Sequence, residues 1–325
     1  DAALSDLRSD PDRAAGRVSV LHTGRGIPVV VHKEYGIYVP ELIFGNLLTS
    51  SNYDDGQRKV TGGRNGYGAK LANIFSTEFV VETSDNAQGL PDQERCRDKR
   101  QPTGAPVTEA GKGADWTRIS WVADLAKFGM SELDDDIVAL FERRAYDIAG
   151  CTHSSVKVYL NGERLPITDF KSYIDLYLGS KHAPDAVPRV FEKVGERWEV
   201  AVAASDDGFH QVSFVNSIAT TKGGTHVTQV SEQVVERVLE HLRKKHKGLD
   251  KVLKPSHVKN HLRVFINCLI ENPAFDSQTK EYHTLKPTAF GSKCTFSDRF
   301  YKDVLNCGVL ESVLSFAQSK QSKDL

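Results

Sequence analysis

The sequence predicts an α+β fold, because apparent strands and helices intermix along the chain without the regular βαβ alternation of a doubly wound sheet. Two kinds of pattern support this prediction. Phe79, Val81 and Thr83 alternate with their neighbours as in a half-buried strand, whereas Phe170–Leu178 carries apolar residues at helical spacing. At 325 residues the chain is also long enough to form two domains, each with its own core.

The elements of the first half follow from local signals. Thr77–Thr83 is predicted as a strand, and the polar, Gly- and Pro-containing stretch Ser84–Asp115 as a long loop with weak structure. Ser131 is placed as the cap of a helix that has three aspartates in its first turn and ends at Gly150. A strand containing Val156, Val158 and Leu160 then leads into a hairpin turn at Asn161-Gly162.

The second half begins with a helix over Phe170–Leu178, followed by the short polar segment Gly179–Pro188, which we interpret as a domain boundary. This divides the chain into domains 1–185 and 186–325. The elements predicted beyond it are strands at Trp198–Ala204, His210–Val215 and Leu262–Ile270, a long helix from Thr225, and a final helix over Val309–Ser319.

Composition limits the class of protein. A hydrophobic fraction of 39% and a charged fraction of 26% are ordinary for a soluble domain, and no apolar run approaches the ~20 residues of a membrane span. The first residues, Asp1–Asp12, are too acidic for a targeting segment. Five scattered cysteines without a CxxC pair indicate a reducing compartment, and His22, His32, His153 and His226 show no metal spacing. No protein metal site is therefore expected.

The stretch Thr61–Leu71 contains four glycines and runs into an apolar segment, Ala69–Phe75, that predicts the start of a helix. Glycine lets the backbone approach a ligand closely, and a helix N-terminus directs N–H groups and a positive dipole end at an anion. Arg64 and Lys70 add two cations. The loop therefore suits phosphate binding, although a glycine-rich turn with no ligand is equally compatible with this stretch taken alone.

A second motif, Ser277–Glu281, follows the apolar run Val264–Ile270 and places Lys280 on a loop after a buried strand. Together the two motifs closely resemble the ATPase region of eukaryotic-type DNA topoisomerase II. The resemblance is collinear from about Gly24 to the end of the chain, and four further stretches carry it: Thr49–Asp55, Asn73–Phe79, Val215–Thr221 and Gly223–Val227. A chaperone or mismatch-repair ATPase of the same superfamily fits less well, because Thr49–Asp55 and Gln278–Glu281 are topoisomerase-like.

The resemblance implies a two-layer α/β sandwich of the gyrase/Hsp90/histidine-kinase/mismatch-repair (Bergerat) type, followed by a transducer domain with a fold like ribosomal protein S5 domain 2. It implies ATP and Mg²⁺ as cofactors, an ATP-driven homodimer gate, and double-stranded DNA as the partner in strand passage. No membrane association is expected, and the expected location is the nucleus or another DNA-containing organelle.

Site residues follow from the resemblance position by position. The implied phosphate contacts are Arg64, Asn65, Gly66, Tyr67, Gly68, Ala69 and Lys70, and the implied sugar and phosphate side is Ser50, Ser51 and Asn52. Ser120 and Thr23 are also assigned to the nucleotide, Thr23 standing where the family has Asp or Asn. Gln278 and Lys280 would touch the γ-phosphate. Considered alone, Ser50–Asn52 would be interpreted as an ordinary turn.

The start of the chain departs from the family pattern. We expect no counterpart in Asp1–Gly16 of the family's helix with a water-activating glutamate, and Arg17–Gly24 is too short for the two strands expected there. No general base is assigned, so this chain is expected to show little ATP hydrolysis. The alternative function is therefore a hydrolysis-deficient module that binds nucleotide or DNA. No cleavage-domain residues are found before Leu325, so DNA cleavage is not expected of this chain.

A basic run lies between His241 and His261, although the formal net charge of the chain is only −1. It contains Arg243, Lys244, Lys245, Lys247, Lys251, Lys254 and Lys259 against a single acid, Asp250. Such a run can be a solvated helix end. Its position in the transducer favours contacts to DNA phosphates without base specificity, and we assign Arg243, Lys244, Lys245, Lys247 and Lys251 to DNA binding.

Overall fold

The computed structural model describes residues 4–47, 56–63, 66–85, 114–246 and 253–323, without the side chains of 321–323. The chain forms two compact units. The first contains Asp1–Asp55 and Gly63–Asp169, and the second contains Gly56–Gly62 and Phe170–Leu325. The mixed α+β class is confirmed. The predicted loop Ser84–Asp115 lies, apart from its ends, outside the described residues.

The first unit contains a six-stranded sheet in the order β3-β4-β2-β1-β5-β6. Its strands are β1 (Asp6–Asp12), β2 (Arg17–Thr23), β3 (Ser76–Ser84), β4 (Trp116–Ala123), β5 (Lys157–Leu160) and β6 (Glu163–Arg164). All neighbours are antiparallel except β1 and β5, which run parallel. The turn between β5 and β6 uses Asn161 and Gly162 at positive φ, as the Asn-Gly pair predicts.

The helices of the first unit are α1 (Val39–Gly45), α2 (Tyr67–Ile74) and α3 (Asp135–Cys151). Phe44 of α1 packs with Phe79 and Val81 of β3, and Ala72 of α2 borders the same cluster. Because side chains alternate between the faces of a strand, Phe79 and Val81 mark one face of the sheet as the side covered by α1 and α2. The unit is therefore a helix layer on a sheet, as the two-layer prediction requires.

The first unit begins with a hairpin whose first strand the sequence analysis did not predict. β1 and β2 pair antiparallel from Leu7 opposite His22 to Asp12 opposite Arg17. Arg17–Gly24 holds one strand, as its length allows, and the first strand of the hairpin lies in the acidic segment before Arg17. The sequence analysis missed β1 because it is rich in aspartate, a residue type that is uncommon in strands.

The ends of α3 differ from the prediction. Asp134, not Ser131, caps the helix, since its side chain accepts the Ile137 N–H at 2.9 Å. Gly150 does not stop the helix, which continues to Cys151. The two arginines near its C-terminal end contact Asp147, at 3.9 Å for Arg143 and 3.0 Å for Arg144, so an ion pair adds to the expected interaction with the helix dipole.

The second unit is built on a five-stranded sheet in the order β10-β9-β12-β8-β7. The strands are β7 (Arg189–Val194), β8 (Trp198–Ala204), β9 (His210–Val215), β10 (Ile218–Ala219) and β12 (Leu262–Cys268). A separate two-stranded sheet pairs β11 (Gly223–Gly224) with β13 (Tyr282–His283) in parallel. The bounds predicted for β8 and β9 are confirmed residue for residue.

Its helices are α4 (Phe170–Leu178), α5 (Thr225–Lys245), α6 (Pro255–Lys259), α7 (Asp298–Asn306) and α8 (Val309–Lys323). One core joins Val200 and Ile266 of the sheet to Val234 of α5, Phe300 of α7 and Val313 of α8. Among the described helices of both units, none is long and apolar enough to cross a membrane.

Helix α4 explains why the units divide at Asp169 and Phe170, before the boundary expected at 185 and 186. Tyr173 contacts Phe214 of β9 with ring centroids 5.6 Å apart, and Tyr177 contacts Phe265 of β12 at the same distance. These contacts attach α4 to the sheet of the second unit. The polar segment Gly179–Pro188 therefore follows an element of that unit and does not separate the two units.

Candidate functional site

The glycine-rich loop ends at the start of α2 in the first unit. Gly66 is the N-cap of the helix at φ 67°, a left-handed conformation that favours glycine, and no described side chain caps it. Gly66, Gly68 and Ala69 are exposed, and Tyr67 is half-buried. The first-turn N–H groups of a helix with an exposed glycine cap can bind an anion.

Lys70 lies one turn into the same helix. Its side chain is buried, at 2% exposure, and its Nζ donates to the carbonyl oxygen of Gly66 at 3.4 Å. Burial lowers the pKa of Lys70 below its ordinary value. The ammonium is thus held beside the backbone of the helix start, where its charge adds to the positive end of the helix dipole.

Lys280 lies in the second unit on the turn between β12 and β13. It adopts φ 59°, an uncommon left-handed conformation for a residue with a long side chain. Its Nζ donates to the carbonyl oxygen of Gly62 at 2.8 Å, and partial burial lowers its pKa. A cation is therefore fixed next to the residue that opens the glycine-rich loop in sequence.

Gly62 belongs to the second unit, and its backbone packs closely there. A Cβ at this position would lie 2.5 Å from Cδ1 of Ile218 and 3.1 Å from the carbonyl oxygen of Asn216. A residue with a side chain at this point would require the Ile218 side chain of β10 to move. The close contact gives a packing reason for one of the four glycines.

Polar contacts tie the turn that carries Gln278 and Lys280 to its neighbours. Glu281 binds Nζ of Lys222 at 2.8 Å and accepts from Thr279 at 3.2 Å. Gln278 is exposed on this turn. Gln278 and Lys280, both predicted to touch a γ-phosphate, therefore lie on one turn that these bonds stabilise. The Lys280 side chain is directed at Gly62.

Thr23 and Ser120 are not on the same face of the sheet as α2. The register pairs Ser120 with Val80 and with Ser19, so by alternation it points away from the face marked by Phe79 and Val81. Ser120 shares a hydrogen bond with Ser19 at 2.9 Å. The Thr23 hydroxyl accepts the Asp6 N–H at 2.8 Å, and four residues separate Thr23 from Ser19, or about 13 Å along a strand.

Two buried threonines occupy the face that carries α1 and α2, and the sequence analysis did not select them. Thr83 and Thr117 share a hydrogen bond at 2.9 Å, and the Thr83 hydroxyl accepts the Ile27 N–H at 2.9 Å. The bond to Ile27 attaches the Gly24–Gly26 turn to the sheet. The turn packs closely there, because a Cβ on Gly26 would collide with the backbone of Ser84. Strand register could have identified the two threonines. Thr117 is an odd number of residues from Ser120, so the two side chains point to opposite faces of the sheet.

The basic run begins at the C-terminal end of α5. Arg243, Lys244 and Lys245 form its last turn and are exposed. Lys254 is exposed, whereas Lys259 is half-buried and lies 4.7 Å above the ring of Phe209. Cations at a helix C-terminus also interact favourably with the helix dipole, so this position is stable with or without a ligand.

Several predicted residues lie outside the described part of the chain. They are Ser50, Ser51, Asn52, Arg64, Asn65, Lys247 and Lys251. Within the described part, no group of three or more His, Cys, Asp or Glu side chains could hold a metal ion. His226 is fully buried and shares a hydrogen bond with Thr220 at 3.1 Å.

Comparisons with known proteins agree with this architecture. The family model described as DNA gyrase B matches residues 169–325. DNA topoisomerase 2 of Arabidopsis thaliana is 50% identical over 329 residues, covering 100% of this chain and 22% of the relative. The Bombyx mori DNA topoisomerase 2 is 52% identical over 328 residues, covering 100% and 21%. The chain thus spans about a fifth of the length of these curated relatives.

A solved structure matches both units. The crystal structure of the ATPase and transducer domains of DNA topoisomerase II from Balamuthia mandrillaris superimposes with a TM-score of 0.92 at 46% identity, covering 99% of this chain and 81% of that one. Fold and site thus define an ATPase domain joined to a transducer domain. The chain belongs to the eukaryotic-type DNA topoisomerase II family, within its ATPase and transducer region.

Proposed function

We propose that this chain is the ATP-binding and hydrolysing motor region of a type II DNA topoisomerase. The observation that carries the proposal is the bond from Lys280 Nζ to the carbonyl oxygen of Gly62, which joins the lysine turn to the start of the glycine-rich loop in a chain of this family. Two segments more than 200 residues apart in sequence thereby meet at the same place.

The chain's own groups would bind and orient the triphosphate. The N–H groups at the start of α2, from Gly66 to Lys70, would hold phosphate oxygens, and the ammonium of Lys280 would leave the Gly62 carbonyl for the γ-phosphate. Phosphoryl transfer depends mainly on positioning and on stabilising developing charge, so backbone donors and a fixed cation are the parts required. Gln278, exposed on the same turn, would orient groups around the γ-phosphate.

Mg²⁺ would accompany the nucleotide. No described carboxylate or histidine cluster fits a resident metal, and Mg²⁺ in nucleotide sites is commonly bound through the phosphates with few protein ligands. When bound, it would neutralise charge on the phosphate oxygens. The residues proposed for the phosphates do not depend on a separate metal site.

The partners of the whole protein are part of the same proposal. ATP binding would close a homodimer gate and hydrolysis would reopen it, so that one duplex passes through a break in another. Support for the DNA contact comes from the exposed last turn of α5, Arg243–Lys245. The whole protein would act on duplex DNA, and the proposed location is therefore the nucleus or another DNA-containing organelle.

The assignment of Lys280 is tested by turnover in the full-length protein. Lys280→Ala is expected to lower ATP turnover by about 10²–10³-fold, the scale of losing one charge contact to a transition state. Lys286→Ala is the matched control, since Lys286 is an exposed lysine shortly after the turn. Steady-state phosphate release measures both variants.

Two results would change the proposal. Turnover of the Lys280→Ala variant equal to that of the Lys286→Ala control would remove Lys280 from the site. If the unaltered protein bound a non-hydrolysable ATP analogue and showed no turnover, the hydrolysis-deficient module would replace the motor as the function.

A further inference from the structure

Strand β7 forms one edge of the five-stranded sheet, and β8 is its only strand neighbour in the described part of the chain. The backbone groups of an antiparallel strand point alternately to its two sides, so half of the six residues of β7 direct their N–H and C=O away from β8. No described residue forms a hydrogen bond to these outward groups. The outer side of β7 is therefore open to pairing with a further strand.

A cavity of about 1150 Å³ lies along this open side, and its lining residues all belong to the second unit. Arg189 binds Asp175 of α4 at 2.6 Å, whereas Glu192 accepts the N–H of Ser297, the N-cap of α7, at 2.9 Å. Because side chains alternate along a strand, α4 and α7 cover opposite faces of the sheet. Both helices line the cavity together with Arg189–Lys193 of β7, so the cavity occupies the place of a strand beside β7.

Unpaired positive charge lines this cavity. Three exposed lysines contribute to its wall, and none of them forms an ion pair with a described carboxylate: Lys171, Lys181 and Lys193. The three acidic residues of the wall already have partners, which are Arg189 for Asp175, Ser297 for Glu192 and Arg299 for Asp303. The charge of the cavity is therefore complementary to an occupant that carries carboxylates.

The side of the cavity next to α4 also has an apolar floor. Ile174 of α4 and Ala201 of β8 are buried there, and the ring of Phe191 lies 4.7 Å from Nζ of Lys171. A DNA duplex presents mainly charged phosphates to a protein, so the apolar floor favours a peptide. Pairing of β7 with the same strand of a second copy would bring the lysines of both chains together, which like charge disfavours.

We propose that the open edge of β7 binds an extended acidic segment of a partner protein as a sixth strand of this sheet. Main-chain hydrogen bonds to β7 supply affinity, and side-chain contacts supply specificity. Carboxylates of the segment pair with Lys181 and Lys193, and an apolar residue between them packs on Phe191. The site uses none of the residues assigned to nucleotide or DNA.

Synthetic peptides that alternate glutamate with valine or phenylalanine test the strand pairing. They should bind the full chain in fluorescence anisotropy, whereas peptides with the same residues in two separate blocks should not. Only alternate N–H groups of an added strand face β7, so N-methylation of one alternate set should abolish binding and N-methylation of the other should not. Equal binding of both methylated peptides would overturn strand addition. If no alternating peptide binds, the proposal is wrong and the lysines only keep the edge from pairing.

Charge reversal tests the basic wall. Lys181→Glu/Lys193→Glu should lower the association constant of the alternating peptide on the order of tenfold, the scale of two exposed ion pairs. Lys244→Glu/Lys245→Glu, with the same change of charge on α5, is the matched control and should leave peptide affinity unaltered. A peptide with lysine in place of glutamate should prefer the Lys181→Glu/Lys193→Glu variant.

Two results would contradict the assignment of the wall. Equal peptide affinity in the two double variants would remove Lys181 and Lys193 from the site. Displacement of the peptide by a short DNA duplex, lost in the Lys181→Glu/Lys193→Glu variant and kept in the control, would make the cavity a nucleic-acid site and overturn the proposal.

Discussion

At the scale of single residues, the second unit contains two buried histidines that are uncharged in the folded protein. His226 and His283 lie with ring centroids 5.3 Å apart, and both are fully buried. Burial lowers the pKa of His226 to about 3, with His283 adding to the shift, and lowers the pKa of His283 to about 4. Thr220 and Thr225 are their hydrogen-bond partners, at 3.1 Å each.

This pair predicts a loss of stability in mild acid. The unfolded state binds protons near the ordinary pKa of 6.5, whereas the folded state does so only near 4 and 3, so the stabilising contribution is complete above pH 6.5 and is lost as the pH falls towards 4 and below. Around pH 5 the free energy of unfolding should fall by about 1.4 kcal/mol per pH unit for each histidine. Urea unfolding at several pH values measures this slope.

The matched variants separate this pair from other acid effects. His283→Gln should remove one histidine's share of the slope, whereas the same change at the exposed His182 should leave the slope unaltered. A slope that is the same in both variants would show that the buried pair does not control acid stability.

Residue-scale geometry sets the limit of what the sequence predicts about the site. The resemblance to the family, carried over position by position, selected Gly66, Gln278 and Lys280 as site candidates. It did not reveal that Lys280 binds Gly62, because that contact depends on a left-handed backbone at Lys280 and on chain packing across 218 residues. Ser120 was selected without knowledge of strand register, and a shift of one residue moves a side chain to the other face of a sheet.

At the scale of elements, α5 combines a buried start with an exposed basic end. His226, near the start of the helix, is buried beside β13. Lys245 lies 19 residues further along, in the last turn, where Arg243–Lys245 are exposed. The apolar residues Val230, Val234 and Val238 keep the helix on the sheet along its length. The basic turn Arg243–Lys245 therefore belongs to a helix that is packed on the sheet, so its three cations form a defined surface.

The basic turn predicts a salt-dependent, sequence-independent affinity for duplex DNA. Replacing Lys244, Lys245 and Lys247 with Gln should weaken binding equally on unrelated duplexes. If all three lysines contact phosphates, the slope of log K against log salt should flatten by about 2.7, at ~0.9 per contact. Fluorescence anisotropy at several salt concentrations measures the slope.

Three exposed lysines elsewhere in the second unit serve as the control: Lys181, Lys193 and Lys302. Their replacement should leave the slope unaltered. If the two triple variants had equal slopes, the basic turn would be a solvated helix end that serves only the dipole.

The elements that the sequence predicts well are those with strong periodicity. β8, β9 and α4 are confirmed with the predicted bounds, since each buries a regular set of apolar residues. β1 was missed because it is rich in aspartate and is stabilised by pairing with β2 and β5. The cap of α3 was misplaced because Ser131 and Asp134 carry the same capping signal, and only the geometry shows which side chain accepts the Ile137 N–H.

At the scale of the whole molecule, the chain passes between the two units three times, at Asp55–Gly56, Gly62–Gly63 and Asp169–Phe170. The second unit is therefore not a continuous stretch of sequence. Its seven-residue insert, Gly56–Gly62, comes from within the sequence of the first unit. A single boundary in the sequence could not have described this arrangement, whatever its position.

The insert predicts that residues 170–325 alone are less stable than the second unit within the chain. Without residues 56–62, Asn216, Asn272 and Lys280 lose their bonds to that segment, and Ile218 loses its contact with Gly62. The free energy of unfolding should fall by roughly 2–4 kcal/mol, at about 1 kcal/mol per hydrogen bond. Urea denaturation of residues 170–325 measures this loss.

Joining residues 56–62 to the same fragment through a flexible glycine-serine linker should restore most of the stability. The same linker followed by seven residues of scrambled order is the control. Equal midpoints for the two fusions would mean that the insert does not stabilise the second unit.

The same insert has a consequence for the order of events during synthesis. Its hydrogen bonds join residues 155, 213 and 218 positions apart. A ribosome adding roughly 5–20 residues per second needs about 10–40 s to make the partners of Gly56–Gly62 after the segment itself has been made. The first unit can pair its strands during that interval, whereas the second cannot be completed until Lys280 has been made. Contacts of such long range also slow the search for the native pairing, so completion of the second unit should be the late step of folding. Until that step, Ile218 and β12 should be exposed and able to bind chaperones.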